Sequence, residues 1–159
     1  MRVIIIEDEI PAANRLAKLL HNYSNEIEIV QKLDSVEASV RYLSNVQNID
    51  LIFMDIQLAD GLSFDIFKQT QVSTPVIFTT AFDQYTLKAF KVNSIDYLLK
   101  PIDENELYLS LEKYQRIYSK TQADFSGKIM KLVQDINLVK YKERLLIKRG
   151  QQLSYLKTE

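Results

Sequence analysis

The 159-residue sequence contains no cysteine, one histidine (His21) and only three glycines, Gly61, Gly127 and Gly150. The absence of cysteine excludes a disulfide scaffold and a thiolate zinc site, and it agrees with a reducing compartment. A single histidine cannot assemble a catalytic histidine cluster. Three scattered glycines exclude both the G-x-G-x-x-G turn of dinucleotide-binding folds and a P-loop.

The sequence also lacks a strong charge of either sign and a long hydrophobic run. The formal net charge is −1, so nothing global argues for a nucleic-acid or membrane partner. The apolar run nearest the N-terminus, Val3–Ile6, is too short for a signal peptide or a membrane span. Because 47% of the residues are hydrophobic, the chain can bury a core, and we expect a soluble cytoplasmic protein.

Short apolar runs alternate along the sequence with patterns of helical period. The runs predict strands at Val3–Ile6, Glu26–Leu33, Leu51–Met54, Pro75–Phe78 and Tyr97–Leu99. Helices are predicted from Pro11 onward, at Ser35–Asn45, at Phe64–Phe67, at Tyr85–Phe90 with Asp83 as its cap, and from Asp103, where Asp103 and Glu106 have the form of a capping box.

This alternation of strands and helices fills residues 1–120 and predicts βα units with a parallel sheet covered on both faces. The strands are too few and the chain is too short for a TIM barrel. We therefore expect an α/β fold with a doubly wound, flavodoxin-like open sheet of five strands. In such sheets ligands bind beyond the carboxyl ends of the strands.

Chemically active side chains follow four of the predicted strands. They are Glu7 and Asp8 after the first, Asp55 after the third, Thr80 after the fourth and Lys100 after the fifth. Asp8 or Glu9 could instead cap the next helix, and Lys100 with Pro101 could form a plain turn. Asp55 is harder to explain as a turn residue, because Asp60 and Gly61 are better placed for that. The coincidence of these side chains at one sheet edge favours a functional site.

Acids, a hydroxyl and an ammonium at one edge suit phosphoryl transfer to a carboxylate. An aspartate can accept the phosphoryl group covalently. Mg²⁺ prefers oxygen ligands and needs only one or two carboxylates besides the phosphate. Lys100 would supply a second positive charge, and Thr80 a hydrogen bond to a phosphate oxygen. Haloacid-dehalogenase-like phosphatases need a second acid two residues after the nucleophile, but residue 57 is Gln, which favours a switch over a turnover enzyme.

Residues 1–120 resemble the receiver domain of two-component response regulators. The resemblance is carried, in order, by Ile6-Glu7-Asp8-Glu9, Phe53-Met54-Asp55, Thr79-Thr80-Ala81 and Tyr97-Leu98-Leu99-Lys100-Pro101. It implies a flavodoxin-like receiver with strand order 2-1-3-4-5. It also implies Mg²⁺ as the cofactor and a sensor histidine kinase as the phosphodonor. Because one hydrogen bond from Thr80 supplies about 1.5–3 kcal/mol and a full two-state switch needs about 5.5 kcal/mol, we also expect phosphorylation to be coupled to homodimerisation.

The resemblance further implies a role for individual residues of the site. Asp55 would be the phosphoacceptor, and Lys100 would pair with the phosphoryl group. Mg²⁺ would be bound by Asp8, Glu7, Asp55 and the backbone carbonyl of Gln57. The switch pair would be Thr80 and Tyr97, and water access would be controlled by Gln57 and Phe82. Where many members of the family have Asp, this sequence has Glu7. The peptide bond before Pro101 is expected to be cis, and we expect the bulky Phe82 to slow hydrolysis of the aspartyl phosphate.

The composition changes after the receiver. Residues 121–140 are interpreted as a linker with one short amphipathic helix, which either packs on its own receiver or forms a dimer coil. Residues 141–159 predict two strands, Arg144–Lys148 and Leu153–Leu156, about Gly150. They resemble the opening of a LytTR-type DNA-binding domain. That resemblance implies a fragment of a transcription regulator, which would contact DNA only through the missing remainder of the output domain.

Two other functions stay open at this point. The domain could be a receiver-like adaptor that no longer takes phosphate and acts only through protein binding. The joint presence of Asp8, Asp55, Thr80 and Lys100 argues against that. A flavodoxin-like flavin or nucleotide binder is disfavoured, because its ligand edge would carry acids facing a phosphate without a glycine cradle.

Overall fold

The computed structural model describes residues 1–46, 48–81 and 94–118, together with two strands at 144–149 and 152–157. The chain divides into two compact units, Met1–Arg116 and Ile117–Glu159. Among the described residues, no helix has both the length and the apolar character needed to cross a bilayer.

The first unit is built on a parallel sheet. Its strands are β1 (Arg2–Ile6), β2 (Glu28–Leu33), β3 (Leu51–Asp55), β4 (Gln57–Leu58), β5 (Gly61–Leu62), β6 (Val76–Thr80) and β7 (Ser94–Leu99). The five longer strands pair in parallel in the order β2-β1-β3-β6-β7. Counted among themselves, these strands have the order 2-1-3-4-5, so the predicted doubly wound, flavodoxin-like sheet is confirmed.

The central strands are continuous apolar runs because both faces of the sheet are covered. Every residue of β3 and of β6 is buried. Parallel strands covered by helices on both sides have this composition, whereas a strand with one open face alternates. At the sheet edge, β2 is more exposed, as its sequence predicts, and only its last residue, Leu33, is buried.

Helices connect the strands of the sheet. They are α1 (Ile10–Tyr23), α2 (Val36–Leu43), α3 (Ile66–Gln69), which follows a 3-10 turn at Ser63–Asp65, and a helix at 104–118. The predicted cap of that last helix is confirmed, because the Asp103 carboxylate accepts hydrogen bonds from the backbone N–H groups of Asn105 and Glu106, at 2.9 and 3.2 Å. The helix predicted at Tyr85–Phe90 and its cap Asp83 lie outside the described residues.

Two apolar layers form the core of the first unit. On one face of the sheet, side chains of α2 and α3 pack on Ile4, Ile52 and Phe78. On the other face, Ile5 and Phe53 are fully buried, as are Leu107 and Leu111 of the 104–118 helix. The rings of Tyr23 and Tyr108 are 4.9 Å apart, which places α1 beside that helix. The sheet is therefore fixed from both sides.

A short hairpin follows the third strand of the sheet. β4 pairs antiparallel with β5, so that Gln57 lies opposite Leu62 and Leu58 opposite Gly61. Ala59 and Asp60 form its tip, one residue earlier than the predicted Asp60–Gly61 turn. Gly61 has a φ of 150°, a conformation that side-chain-bearing residues rarely adopt.

The second unit contains the predicted hairpin. Its strands, β8 (Arg144–Arg149) and β9 (Gln152–Lys157), pair antiparallel, with Arg149 opposite Gln152. The predicted amphipathic helix within 121–140 lies outside the described residues.

The aromatic contacts of Phe78 predict its contribution to stability. Phe78 is 0% exposed, and its ring centroid lies 5.4 Å from that of Phe64 and 6.2 Å from that of Phe67. We expect Phe78→Ala to lower the free energy of unfolding by about 3–5 kcal/mol, measured by urea denaturation. The control is Leu109→Ala, since Leu109 is 64% exposed, and its change stays within about 0.5 kcal/mol. Equal losses for the two variants would contradict the assigned core.

Candidate functional site

Backbone hydrogen bonds fix the strand ends that carry the predicted site residues. The N–H of Ile56 donates to the carbonyl of Thr79 at 3.0 Å, and the N–H of Lys100 donates to the carbonyl of Thr80 at 2.8 Å. The N–H of Glu7 donates to the carbonyl of Leu33 at 2.8 Å. The sheet pairing thus continues to the residues of the site, which start from rigid backbone.

Three carboxylates meet at this edge of the sheet. Glu7, Asp8 and Asp55 each offer one oxygen within 4.8 Å of the others. Glu7 and Asp55 are only 6% and 5% exposed. Carboxylates that are buried together repel one another and need a positive charge nearby.

The Lys100 ammonium supplies that charge. Its Nζ lies 2.5 Å from Asp55 Oδ2, and 2.8 and 2.7 Å from Oε1 and Oε2 of Glu7. The Lys100 side chain is 18% exposed, so the ion pairs are largely shielded from water. One ammonium is therefore shared by two buried carboxylates.

This arrangement shifts the pKa values of two of the groups. Burial raises the pKa of Glu7 above its usual range and the charge of Asp55 raises it further, although the hydrogen bond from Lys100 opposes both. For Lys100, burial favours the neutral amine, but the hydrogen bonds and charges of Asp55 and Glu7 outweigh burial and raise its pKa. Lys100 therefore stays charged wherever its partners are ionised.

Other predicted site residues line the same cavity. A cavity of about 820 Å³ is bordered by the three acids, by Lys100, and by Gln57 and Thr80. The backbone N–H of Gln57 donates to Asp55 Oδ1 at 3.1 Å. Thr80 is fully buried at the end of β6. The peptide bond between Lys100 and Pro101 is cis, as predicted.

One predicted site residue does not line this cavity, and another lies outside the described residues. Tyr97 lies in β7 and packs against the apolar cluster on the α2 and α3 face of the sheet. Phe82 lies outside the described residues. The switch role of Tyr97 and the access role of Phe82 stay predictions.

The helix-cap alternative for the acids after β1 finds little support. Glu9 is the N-cap residue of α1, but its side chain makes no capping hydrogen bond. Its backbone N–H donates instead to Oε1 of Glu7 at 3.3 Å. Asp8 belongs to the carboxylate cluster.

Sequence reasoning missed two contacts near the site. It placed Lys100 at the sheet edge but did not predict that Glu7 shares its ammonium. It assigned Asp60 to a turn, whereas the Asp60 carboxylate also accepts hydrogen bonds from Val36 and Glu37 at the start of α2. Neither contact has a local signal, because the partners are 93 residues apart in the first case and 24 and 23 in the second.

Known proteins resemble this chain in sequence and in structure. The family model described as the response regulator receiver domain matches residues 3–112. The chain belongs to the response regulator receiver family. Among solved structures, the response regulatory domain of mrkE from Klebsiella pneumoniae aligns with a TM-score of 0.65 and 31% sequence identity, covering 76% of this chain and 99% of that chain. The receiver resemblance read from the sequence motifs is thereby confirmed.

Curated relatives of this receiver include proteins named for sensory transduction. Sensory transduction protein LytT of Bacillus subtilis is 38% identical over 120 residues, which are 74% of this chain and 49% of LytT. Sensory transduction protein LytR of Streptococcus agalactiae is 36% identical over 129 residues, which are 77% of this chain and 51% of LytR. The chain thus spans about half the length of the curated relatives it matches.

The receiver's carboxylate cluster fits a divalent cation. Mg²⁺ binds oxygen ligands at about 2.1 Å, so two ligands on opposite sides of one ion are about 4.2 Å apart. Oxygens of Glu7, Asp8 and Asp55 that lie within 4.8 Å of one another need only small movements to meet this spacing. One ammonium leaves this group of acids with an excess of negative charge, which also favours a cation.

Removing the shared ammonium tests the charge balance of the site. In Lys100→Met the carboxylates of Glu7 and Asp55 lose their partner, so we expect the free energy of unfolding in EDTA to fall by about 1–3 kcal/mol. This range lies below that of a fully buried pair because Lys100 retains some solvent access. Added Mg²⁺ shrinks the loss, because the ion neutralises the same acids. Urea denaturation with and without Mg²⁺ measures both effects.

The matched control for this variant is Lys113→Met. Lys113 pairs with Asp96 at 3.3 Å in a more exposed position, so its loss stays below about 1 kcal/mol and does not depend on Mg²⁺. A Lys100→Met variant with the same stability and Mg²⁺ response as this control would contradict the assigned role of the ammonium.

Proposed function

We propose that this receiver is a phosphorylation switch in which Asp55 accepts a phosphoryl group from a phosphohistidine of a sensor histidine kinase. The observation that carries the proposal is the 2.5 Å contact of the Lys100 ammonium with a buried Asp55 carboxylate, beside the acids Glu7 and Asp8. A buried carboxylate with a fixed cation and a cavity in front of it can act as a nucleophile. Membership of the receiver family supports the same chemistry.

The transfer step follows from this geometry. A carboxylate oxygen of Asp55 attacks the phosphorus, the P–N bond to the donor histidine breaks, and the imidazole leaves with the bonding electrons. Lys100 turns from the carboxylate toward the phosphoryl oxygens and neutralises part of their charge. Positioning and charge neutralisation dominate the catalysis of such transfers.

Mg²⁺ is the proposed cofactor of this step. The residues that would hold it are Glu7, Asp8, Asp55 and the backbone carbonyl of Gln57. When bound, Mg²⁺ supplies positive charge that stabilises the transferred phosphoryl oxygens. Without it, the acids would repel the incoming phosphate, because Lys100 alone does not balance them.

The conformational response is proposed to begin at Thr80. Its buried hydroxyl lies at the end of the neighbouring strand and can donate to a phosphoryl oxygen, with Tyr97 following as the second member of the switch pair. One hydrogen bond to a charged group contributes about 1.5–3 kcal/mol. Moving a two-state equilibrium from 1:99 to 99:1 needs about 5.5 kcal/mol. Thr80 is therefore insufficient alone, and we propose that homodimerisation contributes the remainder.

The output of the switch is proposed to be transcriptional control through DNA binding. The β8–β9 hairpin agrees with the resemblance of residues 141–159 to the opening of a LytTR-type domain. The names of the LytT and LytR relatives are consistent with such a signalling role.

Phosphorylation of the isolated chain tests the proposal. Incubation with acetyl phosphate and Mg²⁺ should add one phosphoryl group to the wild type, detected by intact-mass spectrometry, and none in Asp55→Asn. The matched control is Asp50→Asn, because Asp50 precedes the same strand at its opposite end and binds the backbone N–H of Arg2. This control should be phosphorylated like the wild type. A folded wild type that binds Mg²⁺ but gains no mass would favour the adaptor function.

The switch role of Thr80 has its own test. Thr80→Val keeps the volume of the side chain but removes the hydroxyl donor, so it should accept phosphate on Asp55 yet dimerise about 10-fold or more weakly when phosphorylated. Analytical ultracentrifugation under steady acetyl phosphate measures this dimerisation. Thr79→Val, at the adjacent buried position, is the control and should dimerise like the wild type. Equal dimerisation of both variants would argue against Thr80 as the switch.

A further inference from the structure

Asp60 connects the loop after the phosphoacceptor to a distant helix. Its Oδ1 accepts a hydrogen bond from the backbone N–H of Val36 at 2.8 Å, and its Oδ2 accepts one from Glu37 at 3.1 Å. Val36 and Glu37 are the first residues of α2, whose N–H groups have no partner within the helix. The side chain of Ser35, the helix's own N-cap residue, accepts one hydrogen bond of this kind, from the N–H of Ala38 at 3.3 Å. Asp60 therefore supplies the rest of the cap from another part of the chain.

The hairpin that carries Asp60 begins two residues after Asp55. Its β4 and β5 residues pair across the tip, and the N–H of Ser63 donates to the carbonyl of Ile56 at 2.9 Å, which closes the loop on itself. Leu58 of this hairpin and Val36 of α2 belong to the same buried apolar cluster. The tip that carries Asp60 and the backbone of Gln57 are therefore parts of one hydrogen-bonded hairpin.

We propose that Asp60 is a positioning residue for the metal site, because its bonds to α2 hold the 57–62 hairpin and with it the Gln57 carbonyl and the Asp55 carboxylate. The inference rests on the proposed function, in which these groups bind Mg²⁺. Groups that orient metal ligands from outside the coordination shell typically change metal affinity 10–100-fold when removed.

Charge supports the same role. Asp60 itself is exposed, so apolar burial does not hold it in place, whereas its two hydrogen bonds do. The hydrogen bond from Val36, joined by that from Glu37, lowers the pKa of Asp60 against the opposing effect of desolvation. The bonds are thus made to the ionised carboxylate, which is also the form that the positive end of the α2 dipole favours.

The experiment compares Mg²⁺ dissociation constants by isothermal titration calorimetry. Asp60→Ala should bind Mg²⁺ about 10-fold more weakly than the wild type. Asp60→Asn keeps one acceptor oxygen, so its Mg²⁺ dissociation constant should lie between those of the wild type and Asp60→Ala. The same titration followed by amide NMR shifts should show the Gln57 signal displaced in Asp60→Ala before Mg²⁺ is added. If Asp60→Ala does not fold, the weaker Mg²⁺ binding expected for Asp60→Asn tests the proposal.

Two controls separate positioning from general effects. Asp65→Ala removes an equal charge, from a pair with the exposed Lys68, and should leave Mg²⁺ binding within twofold of the wild type. Ser35→Ala removes the other side-chain cap at the N-terminus of α2, so it should lower the unfolding temperature without changing Mg²⁺ affinity.

The outcomes distinguish this inference from the proposed function. Wild-type binding of Mg²⁺ with an unchanged dissociation constant in the Asp60 variants would overturn the positioning role alone. If Ser35→Ala weakened Mg²⁺ binding as much as Asp60→Ala does, Asp60 would act only as a cap of α2, and the inference would also be overturned. A wild type that binds no Mg²⁺ would contradict the proposed function itself.

Discussion

The shared Lys100 ammonium is the interaction on which the rest of this site depends. Two carboxylates, Glu7 and Asp55, are almost fully buried at the same edge of the sheet, where buried negative charges need a nearby cation. Lys100 contacts both, at 2.5 to 2.8 Å. The strand order brings these residues together, since β7, β3 and β1 all end at this edge. The fold thus brings two buried negative charges together and also places one positive charge between them.

Lys100 does not neutralise all the acids of the site, and the negative charge that remains favours the binding of a cation. Asp8 adds a third carboxylate within 4.8 Å of the others, so one ammonium leaves the site negative. A divalent cation would balance this excess, and together with Lys100 it would neutralise the charge of a phosphoryl group on Asp55. The hairpin after Asp55 is held to α2 by the two hydrogen bonds that Asp60 accepts. The contacts of Lys100 that stabilise the buried acids are therefore also the contacts on which the proposed phosphoryl transfer depends.

The sequence predicted the parts of this structure that local patterns encode. The buried strand β3 follows from the continuous apolar run Leu51–Met54. Because the carboxyl ends of parallel strands meet at one edge, the sheet and the clustering of the residues that follow its strands could be predicted from such runs. The Glu7–Lys100 and Asp60–Val36 contacts did not follow, because they join residues far apart in sequence whose side-chain directions depend on packing. The tip of the 57–62 hairpin was misplaced by one residue because a two-residue turn depends on the pairing of both flanks.

The most direct measurement is to locate the phosphoryl group among the clustered acids. The chain is incubated with acetyl phosphate and Mg²⁺, the acyl phosphate is trapped by reduction with borohydride, and peptide mass spectrometry identifies the reduced residue. We expect reduction of Asp55 to homoserine, with Glu7 and Asp8 unmodified because they keep their carboxylates for the metal. Modification of Glu7 or Asp8, with Asp55 intact, would contradict the assignment of Asp55 as the nucleophile beside Lys100.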